Sequence, residues 1–296
     1  MNLDVSVIIV NYNTRELTLK CIDSVFVNTS GVNIEVILVD NGSNDGSREQ
    51  FESDPRILYI YSEINLGFGK ANNLGYSKAK GKYLFLLNSD TVIVNNAIYL
   101  FFKYMETASM NIACCGSLLR NQAGQFIHSY GHHHTWLNLI QEWCFSVYLD
   151  FFGYKFDKYD DPKCKKGDIY IVGYVTGADV FIRKSIVDEL GLFDPDFFMY
   201  YEDAELGYRL FINGYSSVVI EGPQIIHLEG CSNRRKNLDK ITMVLRNMMV
   251  YMKKIKPPLN YFLFSNIFKV VYIVCFLGRR YSLKEKAIHI YNVLAL

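Results

Sequence analysis

The chain has 296 residues, half of them hydrophobic and 15% aromatic, which is ample for a large buried core and far from the composition of a disordered segment. Thirty-one Lys and Arg face thirty Asp and Glu, and the resulting net charge of +1 excludes the global positive field of a nucleic-acid binder. Seven scattered cysteines, of which only Cys114 and Cys115 are close together, provide no CxxC pair or zinc-type spacing.

Those cysteines read as reduced, mostly buried thiols of a cytosolic protein. Met1-Asn2-Leu3-Asp4 leads straight into a strand without a signal-peptide pattern. Residues 5–10 are an apolar, β-branched run, as expected for a strand buried on both faces. Asn11-Tyr12-Asn13-Thr14 reads as a turn, with Thr14 as N-cap of a helix over residues 15–28. A second buried strand over 34–39 ends at Asp40-Asn41-Gly42-Ser43-Asn44-Asp45-Gly46-Ser47, and another helix then begins. Residues 57–61 form a third strand, 65–79 a loop and helix, and 83–87 a fourth strand ending at Asn88-Ser89-Asp90. This strand–helix alternation predicts a parallel, helix-covered sheet.

In such sheets the ligand crevice lies beyond the carboxyl ends of the strands. The clusters Asn11–Asn13, 40–43 and 88–90 all fall there. Asp90 is the natural ligand for magnesium or manganese held against a diphosphate; His227, at another strand end, has two readings, completing that site or serving as a structural histidine. Asp40 has two readings: acceptor for the N3–H of a pyrimidine base, or an Asx-turn to its own loop. Residues 65–73, Asn-Leu-Gly-Phe-Gly-Lys-Ala-Asn-Asn, have glycines that let backbone approach a ligand and asparagines suited to sugar hydroxyls. They form neither a Walker loop nor a dinucleotide loop, which counts against ATPase and dehydrogenase chemistry.

The second half is less regular. Residues 120–170 are rich in aromatics and loops, and His132-His133-His134 reads as an exposed loop cluster or a metal site. Strand character resumes over 172–181 and 217–220, followed by Ile225-Ile226-His227-Leu228-Glu229-Gly230. Between them lies Phe197-Phe198-Met199-Tyr200-Tyr201-Glu202-Asp203-Ala204-Glu205-Leu206-Gly207-Tyr208-Arg209-Leu210. It puts a Glu-Asp pair where an aromatic loop becomes a helix, so that the helix dipole and free N–H groups of the first turn can hold one carboxylate ionised as a base for an alcohol. The other reading is an ordinary acidic N-terminal turn, with Glu205 and Arg209 paired at i,i+4 spacing. The aromatic run is equally readable as a sugar platform or as core.

From Arg234 onward the chain turns basic and helical. Residues 259–278 are its most apolar stretch, interrupted by Asn260, Ser265, Asn266 and Lys269 and flanked by Lys253-Lys254-Ile255-Lys256 and Arg279-Arg280. That pattern argues for a helix lying in an interface, either a membrane surface or a packed protein face, over a simple span.

Residues 5–14, Val39-Asp40-Asn41-Gly42-Ser43, 65–73, Leu87-Asn88-Ser89-Asp90-Thr91, Thr176-Gly177-Ala178 and Tyr201-Glu202-Asp203-Ala204-Glu205-Leu206 together resemble the family 2 glycosyltransferases. The resemblance is nearest to the bacterial rhamnosyltransferase-like members that build surface polysaccharides such as O-antigen or capsule, and it runs in consistent order over residues 4–230. It implies an α/β fold: a Rossmann-like, mostly parallel sheet of the glycosyltransferase A type, with a catalytic domain over 1–232 and a C-terminal helical region over 233–296.

It further implies a nucleotide-diphosphate sugar donor such as dTDP-rhamnose or a UDP-hexose, a divalent metal (magnesium or manganese), and inversion at the anomeric carbon. Carried over by position, Asp203 resembles the catalytic base with Glu202 in support, Asp90 and His227 the metal ligands, and Asp40 the base-recognition aspartate. Asn11, Asn13, Asp40, Asn65, Lys70, Asn73 and Asn88 form the expected donor-binding set. Asn88 stands where many members have a carboxylate, so the metal is expected to bind weakly until the diphosphate arrives. The Gln-x-x-Arg-Trp pattern of processive synthases is absent, favouring transfer of a single sugar to a saccharide or lipid-linked acceptor. The expected place is the cytoplasmic face of the cell membrane, as a monomer or homo-oligomer. A sugar nucleotidyltransferase and a non-catalytic assembly subunit are the competing readings; the first would want a basic, Gly-rich loop where Asn11–Thr14 stands.

Overall fold

The computed structural model describes residues 3–145, 169–228, 238–279 and 281–296. Glu229-Gly230, the start of the basic stretch at 234–237, Arg280 and residues 146–168 of the aromatic stretch lie outside them. The chain forms two compact units, one of Met1–His132, Pro162–Phe198 and Glu202–Asn233, the other of His133–Asp161, Met199–Tyr201 and Arg234–Leu296.

The first unit opens with the expected alternation: β1 (Val5–Asn11), α1 (Arg15–Asn28), β2 (Ile34–Asp40), α2 (Ser47–Phe51), β3 (Ile57–Tyr61), α3 (Phe68–Tyr76) and β4 (Tyr83–Asn88). After it come β5 (Thr91–Ile93), α4 (Ala97–Thr107), β6 (Ile112–Gly116) and β7 (Tyr130–Gly131). The single strand expected over 172–181 is three: β8 (Ile169–Val172), β9 (Tyr174–Val175) and β10 (Asp179–Arg183), interrupted at Gly173 and at the turn through Gly177. The unit continues with α6 (Lys184–Leu190), α7 (Glu202–Ile212), β11 (Ser216–Ile220) and β12 (Ile225–His227), α5 being a short helix of the second unit.

Eight strands form one sheet in the order β3-β2-β1-β4-β10-β6-β11-β8. The pairs β3/β2, β2/β1, β1/β4 and β6/β11 are parallel, whereas β10 enters antiparallel between β4 and β6, and β8 lies antiparallel on the edge. The architecture is a mostly parallel, mixed α/β sheet, with helices at the C-terminus.

Alternation along the central strands divides the core. Val7, Ile9, Leu38 and Phe85 face Cys21, Ile22 and Val25 of α1 and Phe101 of α4. Ile8, Ile37, Val39, Leu84 and Leu86 face Ala71 of α3, Val187 of α6 and Leu206 and Leu210 of α7. Both sides of these strands are dry, which accounts for the β-branched runs; each large aliphatic or aromatic side chain so buried contributes about 1.5–3 kcal/mol. The buried Arg183 guanidinium donates to the carbonyls of Met105, Ala108 and Ile112 and to the Tyr83 hydroxyl, fixing the connection from α4 into β6.

The second unit holds α5 (Trp136–Ile140), α8 (Leu238–Ile255), α9 (Pro258–Leu277) and α10 (Leu283–Leu294). Buried His289 of α10 joins its three long helices: Nδ1 lies 3.0 Å from Thr242 Oγ1 on α8 and Nε2 3.0 Å from Tyr272 Oη on α9. Thr242 already donates its hydroxyl to Leu238 O, so its oxygen accepts from Nδ1–H and Nε2 accepts from the tyrosine. Burial holds His289 below its ordinary pKa, in keeping with a neutral ring in that role. The five described cysteines are free, buried thiols.

A glycine in a helix ordinarily gains stability on replacement by alanine. Gly75 of α3 is an exception, because a Cβ there would stand 2.6 Å from Ile8 Cγ2 and 3.3 Å from Val39 Cγ2, both on stiff, buried β-branched side chains. Gly75→Ala is therefore expected to destabilise the protein by about 1–3 kcal/mol, seen as a lower urea midpoint at unchanged slope. A higher midpoint would show that α3 has room to move off the sheet.

Candidate active site

Asn11, Asp40 and Asn88 end three adjacent strands, with Asn11 opposite Asp40 and Val10 opposite Asn88 in the ladders. The Asn11 amide is turned into the loops beside it: Oδ1 accepts from Thr14 N–H and from the Thr14 and Thr18 hydroxyls, and Nδ2 donates to Ser43 Oγ. Thr14 occupies the N-cap position, as expected, but its hydroxyl turns to Asn11 and to Ser89 Oγ, 3.1 Å away, and makes no cap bond. Asn13, in the left-handed region at φ 55°, accepts from Asn44 N–H and donates its own N–H to Ser43 Oγ. Asn11 and Asn13 thus tie the loop after β1 to the loop after β2.

Asp40 is buried. Its Oδ1 accepts from Ser43 N–H at 3.1 Å, a bond into its own loop that reaches one residue beyond an Asx-turn, and its Oδ2 accepts from Tyr59 Oη at 2.7 Å. Each oxygen keeps a further lone pair. Burial and the bond to Asp40 push the Tyr59 phenol well above its ordinary pKa, so it stays a donor.

The 65–73 segment is braced in the same way. Asn41 Oδ1 accepts from Leu66 N–H, and Asn65 Oδ1 accepts from Gly67 N–H and Asn41 Nδ2. Gly67 has φ +84°, and a Cβ on it would lie 2.3 Å from Phe198 O, so only glycine fits this crossing. Both ends of the Asn73 amide bond the Phe193 backbone, its Nδ2 donating at 2.7 Å and its Oδ1 accepting at 3.0 Å, which makes it a clasp between α3 and the loop before α7. Lys70 is exposed on α3.

Asp90 and His227 meet. The short antiparallel pair β5/β12 sets His227 opposite Thr91, Leu228 N–H donates to Asp90 O, and His227 Nε2 lies 3.0 Å from Asp90 Oδ1. The carboxylate is part-exposed and the imidazole buried. A hard oxygen and an imidazole nitrogen converging at one strand end fit a divalent ion, leaving its other positions to diphosphate oxygens and water. Among the described residues no group of three or more His, Cys, Asp or Glu converges.

Antiparallel β10 brings the acidic helix start to the same end of the sheet. Asn88 N–H donates to Ala178 O, and the neighbouring Gly177 N–H donates to Asp203 Oδ2 at 3.2 Å. Asp203 Oδ1 accepts from Ala204 N–H at 2.8 Å within the first turn of α7. Burial raises Asp203 above its ordinary value, opposed by the Ala204 and Gly177 N–H groups and the nearby His128. Glu202 is more enclosed: Oε2 is buried without a hydrogen-bond partner, and burial, then the Asp203 charge, push it well above the carboxylate range. Two adjacent buried carboxylates resist joint ionisation, so the charge rests on Asp203, which has the N–H donors, and the proton on Glu202.

Arg209 forms the expected pair with Glu205, with bonds of 2.9 and 2.8 Å, and also donates to the carbonyls of Leu190, Gly191 and Leu192, fixing α7 to the turn after α6. The aromatic run divides: Phe197 is core, and Phe198 is exposed. In the second unit, Tyr200 and Tyr201 have φ of 74° and 70°, and the Tyr201 ring packs with Tyr251 and His134. His132 is exposed, and its ring lies edge-on to Tyr130.

Two site neighbours, His128 and Asp179, escape the sequence reading. His128 arrives because β7 pairs with β9 and Thr176 N–H donates to Ser129 O, placing residue 128 near Gly177. Asp179 is buried, accepts from Ser117 N–H and Oγ, and is pushed up to about 7 by burial. Only the extra carboxylate after Thr176-Gly177-Ala178 marks it in the sequence.

Residues 6–191 match the family model described as Glycosyl transferase family 2. Glycosyltransferase GlyG of Streptococcus pneumoniae is 31% identical over 112 residues, 36% of this chain and 37% of that protein. The putative teichuronic acid biosynthesis glycosyltransferase TuaG of Bacillus subtilis is 33% identical over 133 residues, 42% of this chain and 52% of that protein. The chain therefore spans about a third to a half of the length of these relatives. A crystal structure of GalNAc-T7 with UDP, GalNAc and Mn2+ superposes with a TM-score of 0.67 over 99% of this chain and 54% of that one, at 15% identity, which is a likeness of fold.

Because Glu202 keeps its proton when folded and loses it when unfolded, its contribution to stability is full below about pH 4.5 and is lost as pH rises above that. Glu202→Gln should therefore gain stability over the native protein with rising pH, by about 1.4 kcal/mol per pH unit at most. Urea midpoints at pH 5 and pH 8 check this, and a pH-independent difference would contradict it.

Proposed function

The chain is a member of glycosyl transferase family 2, and we propose that it moves a single sugar from a nucleotide-diphosphate sugar to a saccharide or lipid-linked acceptor, with inversion at the anomeric carbon. The observation that carries this reading is the Asp203 carboxylate, held by two backbone N–H groups at a helix start, beside the buried Glu202 and at the same sheet end as the Asp90–His227 pair. In this reading Asp203 Oδ accepts the acceptor hydroxyl proton while that oxygen attacks the anomeric carbon opposite the leaving diphosphate. Glu202, neutral and enclosed, keeps water and a second negative charge away from the base.

Asp90 and His227 would hold a divalent magnesium or manganese ion; when bound, it supplies positive charge against the leaving diphosphate. The Mn2+ and UDP named for GalNAc-T7 support that choice. Asp40 keeps lone pairs for the base N3–H, while Asn65, Lys70 and Asn88 are available to the ribose and diphosphate. Asn11, Asn13 and Asn73 serve donor binding indirectly, by bracing the loops. A dTDP-rhamnose or UDP-hexose donor and a role in surface polysaccharide synthesis are the finer reading, the latter supported by the teichuronic acid assignment printed for TuaG. Free thiols agree with a cytoplasmic setting.

A panel of nucleotide sugars with magnesium, manganese or chelator, reading released nucleoside diphosphate, tests the donor and the metal together. Chelator is expected to abolish release and Asp90→Ala to weaken metal activation; metal-independent release would overturn the ligand assignment. Asp203→Asn is expected to lower kcat by about 10²–10⁴-fold with donor affinity near native. Retention of most turnover would remove Asp203 from the role of base.

A further inference from the structure

The second unit carries a surface that sugar transfer does not use. Helix α9 buries Phe264, Ser265, Phe268, Tyr272, Cys275 and Phe276 within its unit, packing on α8, α10 and the α5 segment. Its other side exposes Leu259, Phe262, Leu263, Ile267, Val270 and Val274, each between 43% and 68% accessible. Their spacing of three and four residues keeps them on one face, which also carries exposed Asn266, its amide donating back to Phe262 O. Leu283, Tyr291 and Leu294 of α10 are exposed as well.

Charge is segregated around this face. Residues 233–296 contain thirteen Lys and Arg against two acids, Asp239 and Glu285, a net +11 in a chain whose total is +1. Lys253, Lys254 and Lys256 directly precede α9; Arg279, Lys284 and Lys286 follow it. An apolar helix face with cations at both ends is complementary to an anionic bilayer, with the side chains entering the acyl boundary and the ammonium groups meeting headgroup phosphates. A second copy fits less well, because a face positive at both ends would meet its own charge. At 20 residues and mean hydropathy 1.6, α9 is long and apolar enough to cross a membrane, but about a third of it is already buried inside the protein, and a span would put Lys269 in the bilayer interior.

We propose that the exposed face of α9 docks the protein on the surface of an anionic lipid bilayer, lying along it without crossing. This needs no nucleotide sugar and stands apart from the proposed activity.

The test is co-sedimentation of the full chain with phosphatidylcholine vesicles with and without phosphatidylglycerol. Binding is expected only to the anionic vesicles and falls steeply with salt. Val270→Glu, at an exposed position, should reduce binding at least tenfold with unchanged circular dichroism. Lys253→Gln with Lys254→Gln should reduce it about thirtyfold. Three results would overturn the proposal: no sedimentation with anionic vesicles; a dimer dissociated by Val270→Glu with no lipid binding; or release from vesicles by detergent alone and not by salt or alkaline wash, which would mean a span.

Discussion

The site depends on one strand that runs against the rest. β10 enters antiparallel beside β4, and the bond from Asn88 N–H to Ala178 O locks the turn preceding it to the carboxyl end of the sheet. Gly177 N–H is thereby presented to Asp203, while the chain leaving β4 continues directly into Asp90. Had β10 been parallel, the residues preceding it would lie at the opposite end of the sheet and the acidic helix start would have no backbone anchor there. One ladder therefore brings together the groups for the acceptor and those for the diphosphate.

Around this junction, polar side chains act mainly on loops. Asn11, Asn13, Asn41, Asn65 and Asn73 spend most of their hydrogen bonds on neighbouring backbone or on one another. Such bracing holds strand-end loops in one conformation before a donor arrives, so less ordering entropy is lost on binding. The two adjacent acids divide their labour by enclosure. Asp203 takes the backbone donors that favour its charge; Glu202 is buried with Oε2 lacking a donor, and burial and the neighbouring carboxylate favour its proton.

Much of this was legible in the sequence. Strands buried on both faces leave apolar runs, so β1, β2, β3 and β4 were readable to within a residue at each end. The polar clusters that end them were readable as strand-end loops. The pairing of Asp90 with His227 was expected from chemistry, but the β5/β12 ribbon that enforces it joins segments more than a hundred residues apart and leaves no local periodicity. His128 was invisible for the same reason. The strand over 172–181 reads as continuous only if Gly173 and Gly177 are taken as strand residues; the tertiary pairing of β8 with β11, β9 with β7 and β10 with β4 makes them the points of division. An amide's role is likewise set by its partners, and Asn73 looks like a sugar ligand until Phe193 is placed beside it.

The division of labour between the two acids is the central claim, and the pH dependence of kcat/KM in Glu202→Gln tests it most directly. If Asp203 is the charged base and Glu202 its protonated neighbour, the glutamine enzyme remains active. Its acidic limb still falls above the ordinary carboxylate range, because the burial that raises Asp203 is unchanged. Loss of activity as complete as that of Asp203→Asn, across all pH, would instead place the base on Glu202.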